Sequence, residues 1–193
     1  SDGFNRWEAG QRLALDVIQE IVGQIEAGST ITVDERLTQA FDANLNQAVE
    51  GHKDPALDKA MIAHMLVLPA ESYLIEMSQV ANVDAIYEAR EAVRTEIAKK
   101  LSGLLLSVYK LNQRDVPYQA EAQQIGERSL KNVALSYLMQ PSESEMVSLC
   151  VDQYTSANNM TDTSAALRAL MGSAAPAAEE IGRAAGRERV QVA

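Results

Sequence analysis

The chain has 193 residues and a mass of 21.0 kDa, with 17 Lys and Arg against 27 Asp and Glu, a net charge of −10 and a pI near 4.7. Hydrophobic residues at 47% and charged residues at 23% specify a packed globular protein of one generous domain or two small ones, and exclude disorder. The acidic balance argues against a nucleic-acid partner, which needs a basic surface to displace counterions.

Apolar residues recur at three- and four-residue steps almost throughout, and only residues 30–33 look strand-like, so the expected fold is all-α. The first helix is expected over about residues 5–27, with Trp7, Ala14, Val17, Ile18, Ile21 and Ile25 on one face and Gly28 as a left-handed terminator. Thr32 and Glu35 have capping-box spacing and announce a second helix carrying Leu37, Phe41, Leu45 and Ala48, closed by Gly51. Asp54-Pro55 reads as the start of a third, an N-cap followed by proline at the first helical position; its stripe is Leu57, Met61, His64, Met65 and Leu68. Pro69 breaks that helix before a short one over residues 71–77.

The longest element is expected over about residues 84–111, where Ile86, Ala89, Val93, Ile97, Leu101, Leu104, Val108 and Leu111 keep helical register. Gly103 inside it costs about 1 kcal/mol relative to Ala, which burial of one Leu offsets. After a connection over residues 112–117, a helix over about 118–139 carries Ala122, Ile125, Val133, Ala134, Tyr137 and Leu138. Pro141 and Ser142 open the next, with Met146, Leu149, Cys150 and Tyr154 inward, and Thr161 or Asp162 caps a further helix bearing Ala166, Leu167 and Leu170. About eight helices joined by short turns make neighbours antiparallel, so the expected architecture is helix hairpins stacked as a HEAT/armadillo-like superhelix.

No break in composition divides the chain before about Gly172. Residues 173–193 are rich in Ala, Gly, Glu and Arg, with Arg183, Arg187 and Arg189 against the charge trend, and are expected to be weakly helical. No stretch approaches the roughly 20 apolar residues that span a bilayer, and the first residues show no secretory pattern. The single cysteine, Cys150, cannot form an internal disulfide, so the expected location is the cytoplasm.

A zinc-peptidase helix needs two His at i and i+4, with Glu after the first. The two His here are His52, followed by Lys53, and His64, followed by Met65, so the pattern does not occur. Di-iron bundles need Glu three residues before His, where this chain has Val49 and Met61. His64 lies on the apolar stripe of its helix and reads as a core or interface histidine; His52, in a Gly-His-Lys loop, reads as solvated. Glu88, Glu91 and Glu96 fall on the polar side of the long helix, and Glu91 with Arg94 and Glu96 with Lys100 have the spacing of ion pairs worth a few tenths of a kcal/mol. Cys150 reads as an inert core thiol and the methionines as core filler. No Gly-rich phosphate loop or nucleophile elbow is found, so no catalytic, cofactor-binding or metal-ligating residue is expected in this chain.

Four strings carry a resemblance: Phe4-Asn5-Arg6-Trp7-Glu8-Ala9-Gly10-Gln11, Asp54-Pro55-Ala56-Leu57, Leu68-Pro69-Ala70-Glu71 and Ala157-Asn158-Asn159-Met160-Thr161-Asp162. In this order and spacing the chain resembles the first part of the C-terminal helical domain of the bacterial aminopeptidase N family, the gluzincin metallo-aminopeptidases, over residues 1–180. The resemblance implies a parent that removes N-terminal amino acids from peptides with zinc held upstream of Ser1, by a His-Glu-x-x-His helix and a distal Glu, and with a Gly-Ala-Met-Glu-Asn loop for the substrate amine. It also implies that the helical domain covers the active site and gates peptide access. Its expected partners are the upstream catalytic and β domains and, in the full-length protein, peptides. Residues 181–193, where the likeness stops, are expected to be an expression-derived tail. The alternative is an independent helical-repeat scaffold that binds a partner protein.

Within these strings, Trp7 is expected to stack on the core face of the first helix and Gly10 to admit a neighbouring element. Residues 158–162 should form a turn whose side chains cap the next helix. Surfaces bared by truncation, with Phe4 and Trp7 among them, are expected to favour self-association.

Overall fold

A computed structural model describes residues 2–173 and 176, and within them the chain forms eight helices and no strand. In chain order they are α1 (Asp2–Glu26), α2 (Glu35–Glu50), α3 (Lys59–Met65), α4 (Glu71–Glu76), α5 (Val83–Asn112), α6 (Ala122–Leu138), α7 (Ser144–Ser156) and α8 (Met160–Met171). The expected tail beyond residue 173 lies, apart from Pro176, outside the described residues. None of the described helices is long and apolar enough to cross a membrane.

α1 buries Ala14, Leu15, Val17, Ile18 and Ile21, and Gly28 ends it at φ +63°, where a side chain would be strained. Thr32 is not the cap of α2. It sits two residues too early, and its N–H donates to Gln24 Oε1 at 2.8 Å while its hydroxyl accepts from Gln24 Nε2 at 3.2 Å, fastening the linker to α1. Asp34 takes the capping role, accepting from Arg36 N at 2.8 Å. Gly51 does close α2, but at φ −89°; what demands glycine there is space, since an added Cβ would meet Gln47 O at 3.0 Å and Leu57 Cδ2 at 3.2 Å.

The third helix begins four residues later than Asp54-Pro55 suggests. Asp54 Oδ1 accepts from Ala56 N at 2.8 Å in an Asx turn, and Asp58 Oδ1 caps α3 from Met61 N at 2.9 Å. The later start rotates the apolar face onto Ile62, Ala63, Leu66 and Leu68, leaving His64 exposed rather than in the stripe. α5 starts and stops within a residue of expectation, but it is not one straight face. Leu101, at φ −115° and ψ 16°, kinks it two residues before Gly103. The buried face therefore steps from Ile86, Ala89, Val93 and Ile97 to Leu105, Val108 and Tyr109, and Leu104 and Leu111 are only half-buried.

α6 starts at Ala122 because residues 113–121 remain a connection, and Ile125 is 45% exposed instead of inward. Pro141 and Ser142 precede α7 rather than open it; Ser142 adopts φ 52°. Asn159, not Thr161 or Asp162, caps α8 through Oδ1 accepting from Asp162 N at 2.9 Å.

α5 is the central helix: α1, α2 and α4 pack on it, and so does α6, which also carries α3 and α8, while α7 pairs with α8. One apolar cluster joins all eight elements. At its centre the Tyr137 ring meets Phe41 edge-on at 5.7 Å, and the buried hydroxyl donates to Leu66 O at 2.7 Å. This contact ties α6 to α2 and the end of α3 with no polar atom left unpaired.

Candidate functional site

The densest polar arrangement lies where α6 meets α3, α8 and the connection before it. Gly126 makes it possible: a Cβ there would lie 3.1 Å from Lys59 Cβ and 3.2 Å from Ala60 N, so only glycine lets α3 approach this closely. The approach brings Lys59 Nζ to 3.4 Å from Glu127 Oε1, with both side chains buried. Glu127 also accepts from Arg114 Nη1 at 3.0 Å and from Gln123 Nε2 at 3.2 Å.

One turn further, Lys131 Nζ donates to Asp162 Oδ2 at 2.7 Å, the two side chains being 9% and 7% exposed. Asn132 Nδ2 donates to Asp162 Oδ1 at 2.8 Å, and Asn159 Nδ2 to Oδ2 at 3.2 Å. Gln153 of α7 completes the set, its Nε2 donating to Asn132 Oδ1 at 2.8 Å and to Asp162 O at 3.1 Å. Both carboxylates are thus saturated by cations and amides, which is the condition for tolerating buried charge. A cavity of about 40 Å³ between Asn112, Arg114, Lys131 and Asp162 has room for little more than water. Such a cluster holds helix hairpins in register; it presents no activated nucleophile or free base.

Of the residues singled out from sequence, Asn159 and Asp162 belong to this cluster and the others lie apart from it. His52 Nδ1 sits 3.1 Å from Val49 O, and the exposed His64 ring packs 6.2 Å from Trp7, which in turn lies 5.8 Å from Phe4. Trp7 is half-buried, and Gly10 admits no neighbour, since nothing lies within 4 Å of the position its Cβ would take; it opens instead on a groove of about 330 Å³ between α1 and α2. Glu96 pairs with Lys100 at 2.9 Å and Glu91 with Arg94 at 2.7 Å, while Glu88 is exposed. Gln140 extends the second pair when its amide is oriented to suit both partners, the nitrogen donating to Glu91 Oε2 at 3.1 Å and the oxygen accepting from Arg94 Nη1 at 3.2 Å. Cys150 is fully buried, its thiol donating to Ala166 O at 3.4 Å, and burial pushes its pKa up to about 12. Of the methionines, Met139 and Met146 are core, but Met77, Met160 and Met171 are exposed.

Glu127, Lys131, Lys59 and Arg114 were not among the sequence candidates. Glu127 and Lys131 have the spacing of an ordinary surface ion pair, and only their neighbours in space show that each is paired elsewhere. Among the described residues no three His, Cys, Asp or Glu side chains gather where a metal ion could be held.

Over residues 1–189 the chain matches the family described as a domain of unknown function (DUF3458_C), ARM repeats. It is 32% identical over 174 residues to aminopeptidase N of Escherichia coli (strain K12), covering 90% of this chain and 19% of that protein. With aminopeptidase N of Caulobacter vibrioides it shares 33% identity over 163 residues, 84% of this chain and 18% of the relative. The crystal structure of Legionella pneumophila aminopeptidase A in complex with aspartic acid superposes with a TM-score of 0.64 at 25% identity, over 86% of this chain and 19% of that one. The chain therefore spans about a fifth of the length of these relatives.

Proposed function

Because the chain belongs to the DUF3458_C family of ARM-repeat domains and is related to bacterial aminopeptidase N, we propose that it is the non-catalytic helical part of a zinc-dependent aminopeptidase, covering the active site of the whole enzyme and gating the entry of peptides. The observation that carries this reading is the polar cluster on α6: its buried charges are consumed in holding α3, α6, α7 and α8 together, which suits a rigid cover. Its described residues do not fit a zinc ion, since His52 is turned to Val49 O and His64 to Trp7, with no further ligand beside either. In this reading zinc, the general base and the amine-binding groups belong to upstream catalytic and β domains that are the chain's partners, in the cytoplasm.

The isolated chain is expected to hydrolyse no aminoacyl chromogenic substrate and to bind no stoichiometric zinc; robust turnover by pure material would overturn the proposal. Gating is tested in the whole enzyme with Asp162→Asn, which loosens the cover. Hydrolysis of long peptides should rise relative to that of dipeptides, and an unchanged ratio would remove the gating role.

A further inference from the structure

Gln124, Glu127, Arg128 and Lys131 stand at i, i+3, i+4 and i+7 and so share one face of α6. That face walls the cavity of about 40 Å³, with Asn158, Asn159 and Asp162 opposite and Asn112, Arg114 and Val116 supplying the rest of the lining. The charges gathered here do not balance. Glu127 accepts from Lys59 and Arg114, and Asp162 from Lys131, which commits both carboxylates to three cations. Arg128 is a fourth cation, only 9% exposed, and no carboxylate lies within ion-pair reach of it among the described residues. Asp115 and Glu121, on the connection before α6, are exposed and make no ion pair there either. A chain of net charge −10 thus carries one pocket with four cations against two carboxylates.

The Arg128 guanidinium has found only neutral partners. Nη1 donates to Gln124 Oε1 at 3.0 Å and Nη2 to Gln119 O at 3.3 Å, and the group lies 4.9 Å from the centroid of the Tyr118 ring. Since a guanidinium carries several more N–H groups than these two bonds use, donors remain to be filled. Arg114, at the exposed rim, uses Nη1 alone, toward the two oxygens of Glu127 at 3.0 and 3.2 Å. Two arginines with spare donors therefore border one small cavity, the arrangement that holds an anion by charge-assisted hydrogen bonds. Asn112 Oδ1 has the converse defect, being a buried acceptor with no donor among the described residues. A water that donates one hydrogen to Asn112 and the other to the anion completes both, and the cavity admits two bodies of that size. A phosphate group is too large for it.

We infer that this cavity is a binding site for one small monovalent anion of the size of chloride. The ion sits between Arg114 and Arg128 and fastens the connection before α6 to the helix itself. The probe is sodium chloride, followed by the chloride NMR line width in the presence of the 193-residue chain, because bound chloride broadens the free signal. The wild-type chain should add broadening that bromide displaces, and a crystal soaked in bromide should show its anomalous peak between the two arginines. Arg128→Gln should weaken chloride binding about tenfold or more, the loss of a charge-assisted hydrogen bond. Arg114→Gln, at the rim, should do the same, and the charge-matched Arg12→Gln with Lys53→Gln, both exposed and away from the cavity, should not. Thermal unfolding of each variant verifies its fold. Broadening that survives in both arginine variants, or falls equally in the control, marks an adventitious ion only and would overturn the site, as would a wild-type chain that adds no broadening.

Discussion

Lys131 on α6 and Asp162 on α8 meet at 2.7 Å with their side chains almost wholly removed from water. Asp162 is held from three further directions, by Asn132, by Asn159 and through its own N–H. Removing one partner strands the other, at a cost of about 3–5 kcal/mol. Lys131→Met and Asp162→Asn should each lower the urea midpoint accordingly. Lys131→Met combined with Asp162→Leu should recover part of the loss, because apolar packing can replace a buried pair. Purely additive losses in the double variant would show that the pair is not the unit that matters.

Two helical glycines should respond in opposite ways to the same substitution. A Cβ at Gly126 would lie 3.1 Å from Lys59 Cβ and 3.2 Å from the backbone of Ala60, so Gly126→Ala must push α3 away and loosen the Lys59–Glu127 pair. Overpacking of this kind costs about 1–3 kcal/mol, more than the helix propensity gained. At Gly103 nothing lies within 4 Å, and Gly103→Ala should stabilise the chain by up to about 1 kcal/mol. Thermal melts of the two variants should therefore move in opposite directions.

The start of α2 depends on Asp34 rather than on Thr32. The Asp34 carboxyl is held below its ordinary 3.8 first by the Arg36 guanidinium and then by the Arg36 N–H. Its contribution is present above that ordinary value and is lost as the pH falls below it. Asp34→Ala should fray α2 in amide exchange at pH 7, and Thr32→Ala should not. Equal protection of Leu37 and Thr38 in both variants would count against the assignment.

Periodicity made the helices legible because each buries a face against α5 or its neighbours, and that requirement is written every third or fourth residue. The eight elements and the span of α5 followed from it. Boundaries did not follow where two capping residues competed. Asp54 and Asp58 can both start a helix, and the outcome depends on Leu57 meeting Gly51 across the turn. The one-residue step in the face of α5 was hidden for a different reason, since the kink at Leu101 is a backbone event. The polar cluster was the least legible part. Lys59 and Glu127 are 68 residues apart, and Lys131 and Asp162 are 31 apart. Neither separation leaves a periodic trace, and the Asn158-Asn159 string announced only a capped turn.

Burial of three acidic protons should govern the alkaline limit of the fold. Cys150 packs between α7 and α8, and its thiol pKa is pushed up from 9.0 to about 12 by loss of water, with no neighbouring cation to offset it. The Tyr109 and Tyr137 hydroxyls are raised above 10.0 by the same cause. Each group keeps its proton in the folded chain and releases it in the unfolded one, so the unfolded state binds fewer protons across this window and stability must decline as pH rises. The decline begins near 9.0, where the unfolded thiol ionises, and continues toward about 12. Urea midpoints measured between pH 8 and 11 should fall steadily, and Cys150→Ala should flatten the lower part of the curve. The folded thiol should also resist a thiol-specific reagent at pH 8, reacting only at the rate at which α7 and α8 separate. Immediate stoichiometric labelling of the native protein, or a midpoint that does not fall above pH 9, would show that the thiolate is reachable in the fold.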